Sequence, residues 1–204
     1  MSNRTSQVDL WKSEFGNDYS KRNQVNPADR LEGFRAIVGG LNIQSALEVG
    51  CNRGHNLGAL RDLGINRLGG LEPNDLARAD AAQRYPDTNF SEGVAMDMPF
   101  DDSSYELVFT AGVLIHIAPT DVPAAMAEMY RISSRYVLSL EYFSPELTEV
   151  NYRGHTEVLW KCDFGDVWQS QYPDLHLTRN GHLDDAGVWD DVTWWLFEKN
   201  APSA

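Results

Sequence analysis

The sequence predicts an α/β fold: one domain built on an open, mostly parallel seven-stranded sheet, with helices on both faces and an antiparallel hairpin at the C-terminal end. Three observations support this prediction. Short apolar runs alternate with helix-like segments between residues 45 and 142, the pattern of successive βαβ units. Two strand-like segments, 175–183 and 192–198, then follow without a helix between them. A chain of 204 residues, 42% of them apolar, is sufficient for one core.

The first predicted helix begins at Asn26, a residue type that caps helices well, with Pro27 in the first turn, and ends near Gly39 and Gly40. The predicted strands are short and apolar and are bounded by turn residues: 45–49, 67–71, 89–93, 105–110, 136–142, 175–183 and 192–198. The later helices show apolar residues at helical spacing and are predicted near 55–63, 75–84, 120–132 and 159–171. Residues 1–25 and the last four residues look weakly structured on their own.

Charge and composition favour a small-molecule ligand. Asp and Glu number 30 against 17 Lys and Arg, so the net charge of −13 repels nucleic acid and anionic lipid. No stretch approaches the roughly 20 apolar residues that span a bilayer, and residues 1–18 lack a signal-peptide core. Cys51 and Cys162 show no metal-ligand spacing. We therefore expect a cytoplasmic monomer or homodimer that contacts no nucleic acid or membrane and holds no metal.

A glycine-rich turn after the first predicted strand is the strongest local signal. The segment Leu47-Glu48-Val49-Gly50-Cys51-Asn52-Arg53-Gly54 ends a strand and opens a helix, and its glycines allow a ligand to approach the backbone closely. The second predicted strand ends at Glu72, whose carboxylate can accept hydrogen bonds from both hydroxyls of a ribose. These two features alone fit any nucleoside site on a parallel sheet, or a tight structural turn.

The pattern Glu48-x-Gly50-x-Asn52-x-Gly54 resembles motif I of the class I (Rossmann-like) S-adenosylmethionine-dependent methyltransferases. Segments 93–100, 105–108 and 113–117 resemble, in the family's order, the segments around its fourth strand. The resemblance implies S-adenosyl-L-methionine as cofactor and S-adenosyl-L-homocysteine as product. The cofactor-binding residues that it implies are Glu48, Gly50, Asn52, Gly54, Glu72, Pro73, Ala95 and Met96.

The family usually places an acidic residue before Ala95, but Val94 stands here, so adenine is expected to meet backbone amides instead. Segments 11–19, 71–74, 152–155 and 159–165 and the aromatic ending 193–198 look like methylases associated with pseudaminic acid biosynthesis. Part of this likeness extends to phosphonate O-methyltransferases. It implies methyl transfer to an oxygen of a small acidic metabolite, such as a phosphonate, carboxylate or sugar acid, in a biosynthetic pathway.

His116 is the predicted catalytic residue, as a base or an orienting group. It follows the fourth predicted strand at the edge where open parallel sheets bind their ligands. Methyl transfer from a sulfonium is an in-line displacement with a good leaving group, so placement and exclusion of water can be sufficient. A base is needed only for an acceptor that is not ionised. A hydrogen-bonded structural histidine is the alternative.

The predicted substrate-binding residues are cationic or aromatic: Tyr19, Arg22, Arg153, His155 and Lys161. The last three are expected to form a cationic group for an anionic acceptor, because Arg can grip a carboxylate or phosphonate in bidentate fashion. The alternative is an exposed loop paired with neighbouring acids. Tyr19 and Arg22 belong to an N-terminal segment, 1–25, that is expected to close as a lid over a methyltransferase domain of residues 26–200, or to pack as an ordinary helix.

Three other functions fit the same residues. The chain can transfer methyl to nitrogen, bind adenosylmethionine or adenosylhomocysteine as a non-catalytic regulator, or use NAD. A stabilising ligand identifies the true nucleotide, because only a bound ligand raises stability by mass action.

Overall fold

The computed structural model describes residues 4–185 and 187–199. The strands of this part of the chain are β1 (Ser45–Val49), β2 (Arg67–Leu71), β3 (Asn89–Ser91), β4 (Tyr105–Ala111), β5 (Ser133–Tyr142), β6 (Thr148–Tyr152), β7 (His155–Lys161), β8 (His176–Leu183) and β9 (Val192–Glu198). The helices are α1 (Arg4–Lys12), α2 (Glu14–Arg22), α3 (Pro27–Val38), α4 (His55–Asp62), α5 (Asp75–Arg84), α6 (Val122–Ile132) and α7 (Phe164–Gln171). A single 3₁₀ turn is formed by Leu114–His116.

Seven strands form one sheet in the order β3-β2-β1-β4-β5-β9-β8. The first five are parallel, whereas β9 pairs antiparallel with both β5 and β8. The predicted fold class is therefore confirmed, including the antiparallel ending. The chain runs outwards from β1 to β3 on one side and then returns to add β4 on the other. The carboxyl ends of β1 and β4 thus flank a crevice, the usual ligand position in such sheets.

Helices cover both faces because successive side chains of a strand point to opposite sides. In β1, Leu47 and Val49 belong to the apolar cluster that contains α6 and α7, while Ala46 belongs to the cluster that contains α3 and α4. All five residues of β1 are buried, as expected for a central strand covered on both faces. Asn26 accepts a hydrogen bond from the amide of Ala28 and so caps α3 as its sequence predicts.

Two regions differ from the sequence-based expectation. Within the described chain, residues 4–22 form two helices, so this part of the N-terminal segment is structured. Residues 1–3, the start of the predicted lid segment, lie outside the described residues. So do residue 200, the end of the predicted domain, and the last four residues, 201–204. The helix predicted over 159–171 begins only at Phe164, because 155–161 is instead the second strand of a separate two-stranded hairpin, β6–β7.

No helix in the described part of the chain is both long and apolar enough to cross a membrane.

Candidate functional site

A cavity of about 230 Å³ opens at the carboxyl ends of β1, β2 and β4. Its wall includes seven of the eight predicted cofactor residues: Glu48, Gly50, Asn52, Glu72, Pro73, Ala95 and Met96. Gly54, the eighth, lies outside the wall, where it is the left-handed N-cap of α4. The cavity therefore occupies the crevice at which a sheet of this order binds ligands.

The turn after β1 depends on left-handed backbone conformations. Gly50 has φ 71° and Asn52 has φ 46°, values that glycine and asparagine adopt more readily than other residues. A Cβ atom at Gly50 would stand 2.6 Å from Cγ2 of Val113, in the segment after β4. The amides of Gly50 and Cys51 both donate to the carbonyl of Leu71, at 2.8 and 2.9 Å, which ties the turn to the end of β2. The wall of the cavity at this point is therefore backbone.

Glu72 joins two turns at the cavity. Its Oε2 accepts a hydrogen bond from the amide of Asn52 at 2.8 Å, and its Oε1 accepts one from the amide of Asn74 at 2.9 Å. The residue is 8% exposed, and burial raises the pKa of its carboxyl to about 7 although both bonds favour the charged form. Because each carboxylate oxygen can accept more than one bond, both retain capacity for the hydroxyls of a ligand.

Glu48 and Arg30 bring a carboxyl group and a guanidinium group to the same cavity. Oε1 of Glu48 accepts a bond from Nδ2 of Asn56 at 2.6 Å, whereas its buried Oε2 has no partner within the described chain. Burial raises the pKa of Glu48 to about 8, and the charge of Arg30 opposes this shift. The Arg30 guanidinium lies 4.0 Å from the centre of the Trp189 ring, and its buried Nε has no partner among the described residues. The two side chains are thus poised for a ligand that carries both charges.

Sequence reasoning missed Arg30. A signal was available, because Arg30 precedes the buried Phe34 by four residues and so shares the helix face that points inward. A cation on the apolar face of a helix is unusual enough to indicate a buried partner. Its partner could not be found from spacing, since Trp189 is distant in the sequence.

The Glu48→Gln variant is expected to be more stable than the native, ligand-free protein. The margin, which is the difference between their free energies of unfolding, should grow as the pH rises from 4.5 to about 8. Below the ordinary value of 4.5, Glu48 is protonated in both states and resembles glutamine. Between the two values the unfolded chain ionises while the folded site remains protonated, so the native protein loses stability. Urea unfolding at about pH 5, 6.5 and 8 measures the margin. The exposed Glu32→Gln variant is the control, and a Glu48 margin that is constant with pH would contradict the prediction.

A second cavity of about 200 Å³ adjoins the first, and Tyr19, His116 and Tyr142 line both. Nδ1 of His116 lies 2.8 Å from the carbonyl of Val158 in β7. A carbonyl can only accept, so the proton is on Nδ1 and the lone pair of the neutral ring is on Nε2. Burial lowers the pKa of His116 to about 4, and the imidazole is therefore neutral near pH 7.

The predicted substrate residues are only partly brought together. Arg22 and Arg153 line the second cavity, with Tyr19. His155 and Lys161 line neither cavity: the His155 ring packs on Phe15 at 5.2 Å, and Nζ of Lys161 lies over the ring of Tyr142 at 5.0 Å.

The expected single cationic group of Arg153, His155 and Lys161 is therefore corrected. Arg153 lies in the turn of the β6–β7 hairpin, whereas Lys161 is the last residue of β7. An extended strand rises by about 3.3 Å per residue, so the length of β7 separates these two residues by roughly 20 Å along the strand. Only Arg153 of the three remains at the site.

The N-terminal helices cover the cavity. Trp11 and Tyr19 line it, and Nδ2 of Asn74 donates to the Trp11 carbonyl at 3.0 Å and to Oδ1 of Asn17 at 2.9 Å. The amide of Ala118 donates to Oε1 of Gln7 at 3.1 Å. Aromatic contacts add to these bonds, since the Trp11 ring packs on His116 at 4.7 Å and the Phe15 ring on His155 at 5.2 Å. The opening of this cover as a lid stays a prediction.

Comparisons with known proteins agree with this geometry. Residues 47–135 match the model of a family described as a methyltransferase domain. The search of curated proteins found no match.

Solved structures share the fold at low sequence identity. A putative methyltransferase from Haloferax volcanii, in complex with the Trm112 methyltransferase activator, has a TM-score of 0.72 and 17% identity, with 98% of each chain covered. Magnesium protoporphyrin IX methyltransferase from Synechocystis PCC 6803 with bound SAH has a TM-score of 0.70 and 13% identity, covering 97% of this chain and 100% of that one. The 1,6-didemethyltoxoflavin-N1-methyltransferase of Burkholderia thailandensis has a TM-score of 0.74 and 11% identity, covering 96% and 88%.

Proposed function

We infer that this chain, with a methyltransferase-domain match and a class I methyltransferase fold, is an S-adenosylmethionine-dependent methyltransferase. We propose further that it methylates an oxygen of a small acidic metabolite. The inference about the cofactor is carried by the cavity between β1 and β4, where the carboxyl groups of Glu48 and Glu72 and the guanidinium of Arg30 face one space. The proposal about the acceptor is carried by Arg22 and Arg153 at the second cavity.

The side chains fit the cofactor group by group. An ammonium group can pair with the unpartnered Oε2 of Glu48, and a carboxylate can pair with Arg30. The ribose hydroxyls can donate to Glu72, and the adenine can lie against the backbone of Ala95 and Met96. When bound, the cofactor would supply a methyl group carried on a positively charged sulfur. Once the methyl group is transferred, that sulfur remains in the leaving group as a neutral thioether.

The same charges disfavour the NAD alternative. A dinucleotide brings a diphosphate to the glycine turn. Here the turn begins beside the buried carboxyl of Glu48 and is tied to the carboxylate of Glu72. A diphosphate would be repelled by an ionised Glu72 and would keep Glu48 protonated, whereas a cationic ligand favours the ionised form of both carboxyl groups. The site therefore suits a cationic nucleoside better than an anionic one.

His116 is suited to orienting the acceptor. With a pKa of about 4 it is a weak base, and its Nε2 offers a lone pair to a donor group of the substrate. A carboxylate or phosphonate oxygen is already ionised near pH 7 and needs no base. A weak base at this position thus supports an acidic acceptor. The N-terminal helices and the hairpin exclude water while the in-line geometry is held.

Two guanidinium groups support an anionic acceptor. Arg22 and Arg153 line the second cavity from α2 and from the hairpin turn, and in residues 4–185 and 187–199 neither forms an ion pair. The carboxylate of Asp190 also lines this cavity, so the two guanidinium groups leave its lining with a net positive charge. In a chain with a net charge of −13, such a lining attracts a small anion.

The Arg153→Gln variant is expected to raise the KM for the acceptor by about 10- to 100-fold, because a lost charge-assisted hydrogen bond costs about 1.5–3 kcal/mol. Cofactor affinity should change by less than about threefold, since Arg153 lines only the second cavity. Initial rates of adenosylhomocysteine release and calorimetry measure the two effects. Arg35→Gln, an exposed change on α3, is the matched control. A larger loss of cofactor affinity than of KM would contradict the acceptor assignment.

The function itself is tested in two steps. Thermal-shift measurements should show stabilisation by adenosylmethionine or adenosylhomocysteine and none by NAD, because only a bound ligand raises stability. A screen for adenosylhomocysteine release then compares carboxylates, phosphonates and sugar acids with amines. Release with an amine alone would replace O-methylation by N-methylation. Binding without release in any class would favour a regulator, and stabilisation by NAD alone would overturn the proposal.

A further inference from the structure

Glu141 is a fully buried carboxyl group behind the wall of the site. It lies on β5, one residue before the end of the strand, and is 0% exposed. Its Oε1 accepts hydrogen bonds from the amides of Val113 and Leu114 at 3.3 and 3.1 Å, and its Oε2 accepts one from the amide of Ile115 at 3.3 Å. One side chain therefore holds three consecutive backbone N–H groups.

These amides belong to the segment that leads into His116. The first N–H groups of a helical turn have no acceptor inside the turn and need one from elsewhere. Glu141 is that acceptor for the 3₁₀ turn Leu114–His116. The His116 ring is held on its other side by the Val158 carbonyl. The backbone that leads into His116 and the His116 ring are thus anchored by two different strands, β5 and β7.

The same segment also contacts the cofactor turn. Val113 is the residue whose Cγ2 would meet a Cβ atom at Gly50, and the amide of Gly112 donates to the Leu140 carbonyl at 2.8 Å. A shift of the segment would therefore move His116 relative to both cavities.

A carboxyl group is a costly choice at this position. Burial raises the pKa of Glu141 to about 7, and an apolar residue of similar volume would avoid this desolvation. The three amide bonds are the compensation, and they form only if the turn keeps its present geometry. Such a site favours one conformation of the turn over others.

We propose that Glu141 is a positioning residue for His116: by accepting the amides of Val113, Leu114 and Ile115 it fixes the turn that holds the imidazole between the two cavities. The role in methyl transfer rests on the proposed function, whereas the coupling between Glu141 and His116 does not. The two are therefore tested by separate measurements.

The coupling is tested by NMR of protein labelled with ¹⁵N-histidine, with the His116 signals assigned by their loss in a His116→Asn variant. Native His116 should show the neutral form with a protected Nδ1–H. Glu141→Leu removes both acceptor oxygens and with them all three amide bonds, and the exchange of that proton with water should become at least ~10-fold faster. Glu141→Gln keeps one carbonyl oxygen and should recover part of the protection, which keeps the test valid if the leucine variant does not fold.

Glu106→Gln is the matched control, because Glu106 also accepts two backbone amides, from Gln44 and Ser45, but at the opposite end of β4. It should lower the melting temperature without changing the His116 signals. Unchanged His116 signals in both Glu141 variants, or equal changes in the Glu106 control, would overturn the proposal. Adenosylhomocysteine affinity is measured by calorimetry on the same samples. Absence of binding to the native protein would remove the proposed function and leave the coupling result intact.

Discussion

The Glu72→Ala variant is expected to bind S-adenosylmethionine at least about 100-fold more weakly than the native protein. A hydrogen bond to a charged group contributes about 1.5–3 kcal/mol, and each 1.4 kcal/mol is tenfold in affinity. Two bonds to the ribose hydroxyls would be lost together. The amides of Asn52 and Asn74 would also lose their acceptor, so the two turns that shape the cavity would be less well held.

Two variants separate these causes. Glu72→Gln retains one carbonyl oxygen and the size of the side chain, and it should lose less affinity than the alanine variant. Glu32→Ala removes an exposed carboxylate that pairs with Arg35 on α3, outside both cavities, and its affinity should match the native value. Calorimetry gives the affinities and thermal unfolding shows that each variant is folded. Native affinity in a folded Glu72→Ala protein would remove Glu72 from the cofactor site.

The Gly50→Ala variant is expected to lose roughly 2–5 kcal/mol of stability together with measurable cofactor binding. The left-handed backbone at φ 71° costs an alanine about 1–2 kcal/mol. The new methyl group would stand 2.6 Å from Cγ2 of Val113, and displacing a packed side chain costs about 1–3 kcal/mol more. The displaced Val113 lies in the segment that leads to His116, so the cavity wall itself would change.

Gly40→Ala is the matched control, because Gly40 has a similar φ of 77° but nothing within 4 Å of an added Cβ atom. Its loss of stability should be confined to the backbone term of about 1–2 kcal/mol, with native cofactor affinity. Urea unfolding and calorimetry on the two variants give the comparison. Equal losses at Gly40 and Gly50 would show that contact with Val113 contributes nothing.

Most of the sheet could be predicted because its signals are local. The strand at 45–49 is a short apolar run, the helix after it repeats leucine at helical spacing, and glycine ends each. The β6–β7 hairpin was missed for the opposite reason. The hairpin lies outside the main sheet, and few apolar side chains mark its strands. β6 has only Val150 and Tyr152, and the first three residues of β7 are polar and exposed, so β6 and the start of β7 show no buried apolar run of the kind that marks the main sheet.

The candidate site was predictable where a residue adjoins a recognisable turn. Gly50 directly follows β1 and Glu72 directly follows β2. The carboxyl ends of these strands lie at the same edge of a parallel sheet, and both residues line the cavity there. Arg30 and Glu141 have no such neighbour in the sequence. Each acquires its role from partners far along the chain, Trp189 for the first and the segment after β4 for the second.

The sequence by itself determined the alternation of strands and helices between β1 and β5, the glycine turn and the acidic residue at the end of β2, because these depend on side-chain periodicity and backbone preference within a few residues. Only the tertiary structure decided which charged groups share the cavity and which carboxyl group holds the turn of His116. It also decided that Lys161 lies far from Arg153. Electrostatic and hydrogen-bond partners act over a few ångströms in space. Their distances are set by how the strands assemble and are not encoded in the spacing of any short segment.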